Sequence, residues 1–226
     1  IKQIEERTFE HCSSLVSVRI PKGVMTLGSN AFSHCSLLAS IDLPDGVISI
    51  GNAAFYNCES LRDVSIPASV VAIGQEAFEY TLWLDDQPDG VLYVNDVLYK
   101  YKGKMSPNTT IVIRKEVVSV TSKAFYGCDS LVSIVLPDGI TSINDECFSG
   151  CSSLQSIVMP KTVERIGSSA FFGCSSLDTL ALPNGIQLIG CRAFAGCNSL
   201  TTLFLPPNLQ LLGKEAFRDC SVLRSV

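Results

Sequence analysis

The stretches AFYGCDSLVSIVLPDGITSIN, at residues 124–144, and AFFGCSSLDTLALPNGIQLIG, at residues 170–190, share one pattern of apolar residues, proline and glycine. The phenylalanine of this pattern recurs every 23 residues, with a single interval of 47. A proline stands eleven residues before most of these phenylalanines, and a cysteine stands three residues after most of them. The chain is therefore built from one repeated unit. The repeated phenylalanines are Phe9, Phe32, Phe55, Phe78, Phe125, Phe148, Phe171, Phe194 and Phe217.

A period of this length with an L-x-x-I-x-L core is typical of a leucine-rich solenoid, in which each coil buries its apolar face against its neighbours. The segment Leu131–Leu136 is rich in β-formers, which predicts a short parallel strand ended by Pro137. The rest of each unit returns the chain either as a short extended piece or as one helical turn. The predicted fold is an α/β leucine-rich-repeat solenoid with one curved sheet and irregular or short-helical return limbs. The glycines expected to take a positive φ after the proline are Gly23, Gly46, Gly139 and Gly185.

The 47-residue interval contains an insertion at about 85–110 that replaces one coil. Alternating β-formers flank Asn95-Asp96, which predicts a hairpin with a two-residue turn that projects from the solenoid. Its tyrosines, Tyr93, Tyr99 and Tyr101, alternate with lysines and are candidate contact residues for a protein partner. In the alternative interpretation, the tyrosines fill a disrupted core and the lysines protect an edge strand.

The domain organisation that follows is a single solenoid over 1–226, with repeats in 1–84 and 111–226. Both ends fall inside a repeat, and no polar cap is visible. The sequence therefore predicts an excised fragment whose caps and flanking domains are missing, and whose uncapped ends allow self-association.

The repeat strings quoted above closely resemble the BspA-like leucine-rich repeats, a type first grouped around surface antigens of spirochaetes and oral anaerobes. The resemblance covers essentially the whole chain. It implies a cell-surface or secreted protein that acts as an adhesin, because characterised members bind extracellular-matrix proteins, host cells or other bacteria. The family has no shared catalytic motif.

The charge balance excludes several classes of partner. The chain has 17 basic and 22 acidic residues and a pI near 5.0, so no basic stripe is available for nucleic acid. No apolar stretch reaches the length of a membrane span, and residues 1–10 do not resemble a signal peptide. A protein partner is expected, with neither nucleic acid nor membrane insertion.

The cysteines and histidines are predicted to be structural. Eight of the ten cysteines occupy one position of the repeat, where small thiols pack well and stay reduced, and Cys147 replaces the alanine before phenylalanine, which indicates burial. His11 and His34 stand at a position that is glycine in later coils, which favours solvated turn histidines over a metal site. Nucleophile, base and orienting group do not converge. We therefore expect no enzyme, no cofactor and no metal.

The residues two and four places after each leading leucine should point away from the core. The first of these columns is almost entirely small and hydroxylic, as at Ser133 and Thr202. The second changes from Arg19, Asp42 and Ser65 to an apolar series in the C-terminal half. The candidate protein-binding residues of that series are Val135, Val158, Ala181 and Phe204. An exposed apolar stripe favours a binding module; the alternatives are that these residues are merely good strand formers and that the chain is a structural spacer displaying another domain.

Overall fold

The computed structural model describes all residues from 1 to 226, which form two compact units. Unit 1 comprises residues 1–88 and 92–99, and unit 2 comprises residues 89–91 and 100–226. In each unit, short strands of successive coils pair in parallel. The predicted solenoid of stacked parallel strands is confirmed, and it is a β-solenoid with almost no helix.

The first strand of a coil lies in the L-x-x-I-x-L segment, as predicted. Its register places inward residues opposite one another, Ile41 beside Val64 in unit 1 and Ile134 beside Ile157 in unit 2. Further along unit 2 the strand shortens to single bridges between Thr179, Thr202 and Ser225. The first strands are β3 (Ser40–Asp42), β5 (Asp63–Ser65), β9 (Thr109–Val112), β11 (Leu131–Val135) and β13 (Ser156–Val158).

A second short strand follows the proline turn, and hydrogen-bonded turns around the phenylalanine complete the return limb without a helix. The second strands are β1 (Gln3–Ile4), β2 (Thr26–Leu27), β4 (Ser49–Ile50), β6 (Ala72–Ile73), β10 (Ser119–Val120), β12 (Ser142–Ile143), β14 (Arg165–Ile166), β15 (Leu188–Ile189) and β16 (Leu211–Leu212). The strands form five small sheets instead of one, because the two limbs pair separately and the insertion adds strands of its own. The single helix, α1 (Leu82–Asp85), starts at the side-chain cap of Thr81.

The turn after the first strand is closed on the proline. The carbonyl of Pro44 accepts a hydrogen bond from the N–H of Val47 at 3.2 Å, and the equivalent bond recurs in other coils. Of the four glycines expected to have a positive φ here, only Gly46 does, at +102°. The expectation for Gly23, Gly139 and Gly185 is wrong, because this turn closes without a left-handed residue.

The left-handed residues lie around the repeated phenylalanine instead, at the positions two residues before it and two residues after it. The backbone of each coil therefore bends at two left-handed residues, and the phenylalanine lies between them. The first position is never glycine and includes Ala53, with φ +51°, and Arg192, with φ +54°. In unit 2 the second position is glycine in four coils and aspartate in the fifth, at Gly127, Gly150, Gly173, Gly196 and Asp219. In unit 1 it carries His11, His34, Asn57 and Tyr80.

The core of each unit is a ladder of phenylalanine rings. In unit 1 the Phe32 and Phe55 centroids are 5.5 Å apart with an interplanar angle of 6°, and in unit 2 those of Phe171 and Phe194 are 5.3 Å apart with an angle of 3°. Parallel coils impose this geometry, because equal positions repeat at the coil spacing of ~4.8 Å. Each ring is thus desolvated by the ring of the next coil.

The insertion forms the predicted hairpin of β7 (Gly90–Val94) and β8 (Val97–Lys102), with its turn at Asn95–Asp96. The prediction that it projects into solvent is wrong. Val97 and Tyr99 are buried in the core of unit 1, and the Asn95 side-chain amide donates to the carbonyl of Pro67 at 2.8 Å. The apolar residues of the hairpin therefore fill the place of the missing coil.

Candidate binding surface

The open face of unit 2 is built on strands β9, β11 and β13. The strand register aligns Val112 with Val135 and Val135 with Val158, and the bridge between Thr179 and Thr202 extends the same register to later coils. Alternation turns these side chains outward while Ile134 and Ile157 between them are buried. One residue position of the repeat thus forms a straight column on the surface.

This apolar column consists of Val112, Val135, Val158, Ala181 and Phe204. Phe204 is 83% exposed, Val112 is 71% exposed and Val158 is 56% exposed, whereas Val135 is half-buried. The four predicted residues therefore lie on one line. Val112 extends the line by a coil. It escaped prediction because Asn108 stands where the other coils have the leading leucine from which the outward positions are counted. Its alternating TTIV strand was the signal that could have revealed it.

A parallel column of hydroxyl groups runs beside the apolar column. It begins at Thr110, whose hydroxyl oxygen accepts a hydrogen bond from Ser133 at 3.2 Å, and the pairing of Ser133 with Ser156 continues it. Thr179 and Thr202 follow, both exposed. The apolar column is thus flanked by groups that can both donate and accept hydrogen bonds.

The same face of unit 1 has a different chemistry. Asp42 pairs with Ser65 and Ser40 pairs with Asp63 on strands β3 and β5, and all four side chains are exposed. Arg19 is exposed at the equivalent position of an earlier coil. The apolar column is therefore a property of unit 2 and is not shared by every coil.

The hairpin tyrosines occupy three different environments. Tyr99 is 1% exposed, its hydroxyl accepts the N–H of Phe78 at 3.0 Å, and burial raises its pKa. Tyr101 is half-buried, with its ring 6.5 Å from that of Phe125. Tyr93 is also half-buried. The prediction that Tyr99 contacts a partner is wrong, because its ring fills the core in the way the alternative interpretation proposed.

The cysteines of the ladder are free thiols, and most of them are buried as predicted. The Cys58 thiol donates to the carbonyl of Phe32 at 3.0 Å, and the Cys174 thiol donates to the carbonyl of Phe148 at 3.1 Å. Burial raises the pKa of Cys58 to about 12, and burial with a neighbouring thiol raises that of Cys197 to about 12. Such thiols are poor nucleophiles and pack as apolar side chains. Cys147 is buried as well, whereas Cys191 is exposed.

His11 and His34 lie in left-handed turns, as their position in the repeat predicted. Their rings stack with centroids 4.5 Å apart. The structure contains no group of three or more His, Cys, Asp or Glu side chains placed to hold a metal ion. None of its helices has the length and apolarity needed to cross a membrane.

The sequence of the chain was compared with models of known protein families. The family model described as the BspA type leucine-rich repeat region matches residues 1–87 and 97–224, in six copies. No curated protein matches the chain.

Solved structures with this fold come from several bacteria. A leucine-rich repeat protein from Bacteroides ovatus is 27% identical, with a TM-score of 0.50, over 99% of this chain and 69% of its own. The T. pallidum leucine-rich repeat protein is 30% identical, with a TM-score of 0.40, over 78% of this chain and 72% of its own. The pneumococcal vaccine antigen PcpA, at 22% identity and a TM-score of 0.54 over 97% of this chain and 64% of its own, shares the fold. Since the family model matches more than half of its residues, the chain belongs to the BspA-type leucine-rich repeat family.

Proposed function

We propose that this chain is a non-catalytic protein-binding module, and that it binds its partner through the open face of unit 2. The observation that carries the proposal is the apolar column from Val112 to Phe204. Its first three residues lie on the paired strands β9, β11 and β13, and an isolated bridge between Thr179 and Thr202 continues the alignment to the later coils. Contiguous apolar surface on a folded domain is costly to hydrate, and it often marks a protein contact site. Extended repeat surfaces are commonly used in this way.

The shape of the column indicates the kind of contact. Five coils at a spacing of ~4.8 Å give a strip about 19 Å long. Phe204 at one end is the side chain best suited to anchor a partner, because a large aromatic ring buries much area at low entropic cost. The hydroxyl column beside it supplies hydrogen bonds along the rim. This combination fits a protein surface or an extended segment of a protein.

We further propose a cell-surface or secreted location, with a role in adhesion to matrix proteins, host cells or other cells. The BspA-type repeat supports this, since the proteins that it resembles are mostly surface proteins. Tyr93 and Tyr101 are half-buried and remain secondary candidates for the contact. A spacer that displays another domain would not need an apolar column confined to unit 2, so this column favours binding.

The test compares capture of extracellular-matrix and cell-surface proteins by three forms of the chain. The first is the native sequence, and the second carries Val135→Glu, Val158→Glu and Phe204→Glu. The third is a matched control with Arg19→Glu, Asp42→Glu and Ser65→Glu at the equivalent positions of unit 1. Circular dichroism and thermal melting establish that all three forms fold.

We expect the native chain and the unit 1 variant to capture the same partner, and the unit 2 variant to lose it. Each lost anchor should cost about 1 kcal/mol or more of binding free energy, so the triple variant should bind at least tenfold more weakly. Equal capture by all three forms would remove the apolar column as the site. Absence of capture by the native chain would favour the spacer.

A further inference from the structure

A second exposed surface lies in unit 1, at the bends that follow the repeated phenylalanines. Four rings from successive coils are in contact there: His11, His34, Tyr56 and Tyr80. We call this row the ring edge. The His11 and His34 centroids are 4.5 Å apart, those of His34 and Tyr56 are 5.7 Å apart, and those of Tyr56 and Tyr80 are 5.1 Å apart. The binding face proposed above belongs to other residues, in unit 2.

The ring edge reaches solvent although its rings touch. Tyr80 is 62% exposed, His11 is exposed, and His34 and Tyr56 are half-buried. A row of aromatic rings that bury only part of their area leaves flat faces and edges available to a ligand.

Three of the four rings are attached to strained backbone. His11, His34 and Tyr80 have φ values of +60°, +61° and +59°, in the left-handed region that side chains with a Cβ avoid. In four of the five coils of unit 2 the equivalent residue is glycine, such as Gly127 with φ +70°, and in the fifth it is Asp219 with φ +59°. Glycine would satisfy the fold in unit 1 as well, so folding does not require the rings.

The sequence around the repeated phenylalanines of unit 1 is strongly negative. Within four residues of Phe9, Phe32, Phe55 and Phe78 there are six carboxylates and one cation. That cation, Arg7, forms ion pairs with Glu6 and Glu10. Unit 2 contrasts with this pattern, because the same windows there hold five carboxylates and four cations. The six carboxylates are Glu5, Glu6, Glu10, Glu59, Glu76 and Glu79.

Two of the carboxylates lie close enough to the rings to affect the pKa of Tyr56. Partial burial, then the neighbouring Tyr80, and then Glu76 and Glu79 raise the pKa of the Tyr56 hydroxyl. The rings of Tyr56 and Tyr80 meet edge to face, with an interplanar angle of 84°. A ligand beside this pair would therefore meet aromatic surface and negative charge together. An arginine side chain matches both features, because the planar guanidinium stacks on aromatic faces and also pairs with carboxylates.

The geometry points to the ring edge as a binding site for an arginine-rich peptide segment of a partner protein. Tyr56 and Tyr80 stack on guanidinium groups, and Glu76 and Glu79 supply the opposite charge. Long-range attraction from the six carboxylates steers the cationic segment to this edge at low ionic strength. Affinity therefore decreases as salt screens the carboxylates.

The test measures fluorescence anisotropy of a fluorescein-labelled tetra-arginine peptide added to the whole chain. Tetra-lysine separates guanidinium stacking from charge alone, and unlabelled cellotetraose, added as a competitor, tests a sugar platform. The test variant is Tyr56→Ala with Tyr80→Gly. Glycine is chosen at residue 80 because Gly127 occupies the same repeat position in unit 2. The matched control is Tyr126→Ala, since Tyr126 is exposed at the position of Tyr56 but lies in unit 2.

We expect tetra-arginine to bind more tightly than tetra-lysine. The double variant should bind tetra-arginine about tenfold more weakly, since each exposed cation–π contact contributes modestly. Tyr126→Ala should not change the affinity. Thermal melting of the Tyr80→Gly single variant should give a Tm no lower than that of the native chain, because the substitution relieves a left-handed backbone. This result would show that weaker binding does not arise from unfolding.

Three outcomes would overturn the proposal. The first is no binding of tetra-arginine to the native chain at low salt. The second is equal affinity of the native chain and the double variant, which would make the attraction one of charge alone. The third is displacement of tetra-arginine by cellotetraose together with no discrimination between arginine and lysine, which would identify a carbohydrate surface.

Discussion

At the scale of single residues, the backbone conformation around each phenylalanine explains which substitutions the repeat tolerates. The left-handed position after the ring is occupied by glycine in four of the five coils of unit 2, and a Cβ added at Gly127 would meet no atom within 4 Å. Space is therefore not what selects glycine there. The selection comes from the backbone, because a Cβ in the left-handed region approaches its own carbonyl oxygen.

Replacing Gly127 by alanine should destabilise the chain by about 1 kcal/mol, which is the strain of a left-handed alanine less the entropy that alanine removes from the unfolded chain. Gly185→Ala is the matched control, because Gly185 has no positive φ and its added Cβ would meet Lys161 O at 3.4 Å. That variant should be neutral or slightly stabilised. Urea denaturation measures both, and a larger loss for Gly185→Ala would contradict this assignment of strain.

The buried thiols make a second prediction, which concerns pH. Burial raises the pKa of Cys58 to about 12, from an ordinary value of 9.0. Below about pH 9 the thiol is protonated in both states and its full stabilising contribution is present. As the pH rises from about 9 towards 12, the unfolded chain loses this proton first, and the free energy of unfolding falls by about 1.4 kcal/mol per pH unit for each such thiol.

Urea denaturation at pH 8, 9 and 10 under reducing conditions measures this slope. The variant Cys58→Ala with Cys197→Ala removes two titrating thiols, since burial and a neighbouring thiol also raise the pKa of Cys197 to about 12. We expect its stability to fall less steeply above pH 9 than that of the native chain. Identical slopes for the two proteins would mean that these thiols ionise normally when folded.

At the scale of elements, the first strand of each coil could be predicted from its sequence. The second strand could not, because its conformation depends on hydrogen bonds to the next coil. The strand at Leu131–Val135 follows from β-formers before a proline, and the turn at Asn95–Asp96 follows from its flanking residues. The second strand, such as Ser49–Ile50, has two residues, too few for any periodicity to separate strand from helical turn. Its parallel pairing with the next coil settles the matter, and that pairing is non-local.

The hairpin shows why burial was harder to predict than shape. Its residues alternate in a way that suits either a projecting ribbon or a strand laid on a core. The position of Phe78 selects the second arrangement, because its ring offers an open side to Tyr99 at 5.8 Å and to Trp83 at 4.4 Å. No local pattern carries that information.

Two adjacent phenylalanines provide a test of the ladder. Phe171 is completely buried between Phe148 and Phe194, whereas Phe172 is 46% exposed. Phe171→Ala should therefore destabilise the chain by about 3–5 kcal/mol through lost burial and a cavity. Phe172→Ala should cost well under about 1 kcal/mol. Thermal melting compares the two variants, and similar losses would show that the stacked rings contribute less than their burial implies.

At the scale of the whole molecule, the fold could be predicted almost completely because every coil repeats the same information. The candidate site could be predicted in part. Val158 and Phe204 follow from counting along the repeat, but Val112 needed the observed pairing of strand β9 with β11. The ring edge also escaped prediction, because Tyr56 stands one repeat position before His34 and Tyr80, and the three rings meet only when the coils stack.

The strict alternation along the first strands has a consequence for how such proteins change over time. At the outward position the chain carries arginine, aspartate, serine, valine, alanine and phenylalanine in different coils, while the inward neighbours Ile41, Ile134, Ile157 and Leu203 stay aliphatic and buried. A mutation at an outward position therefore leaves the packing behind it intact. Natural variation can replace one coil's contribution without disturbing the next, so new specificity can arise by single substitutions on an unchanged scaffold.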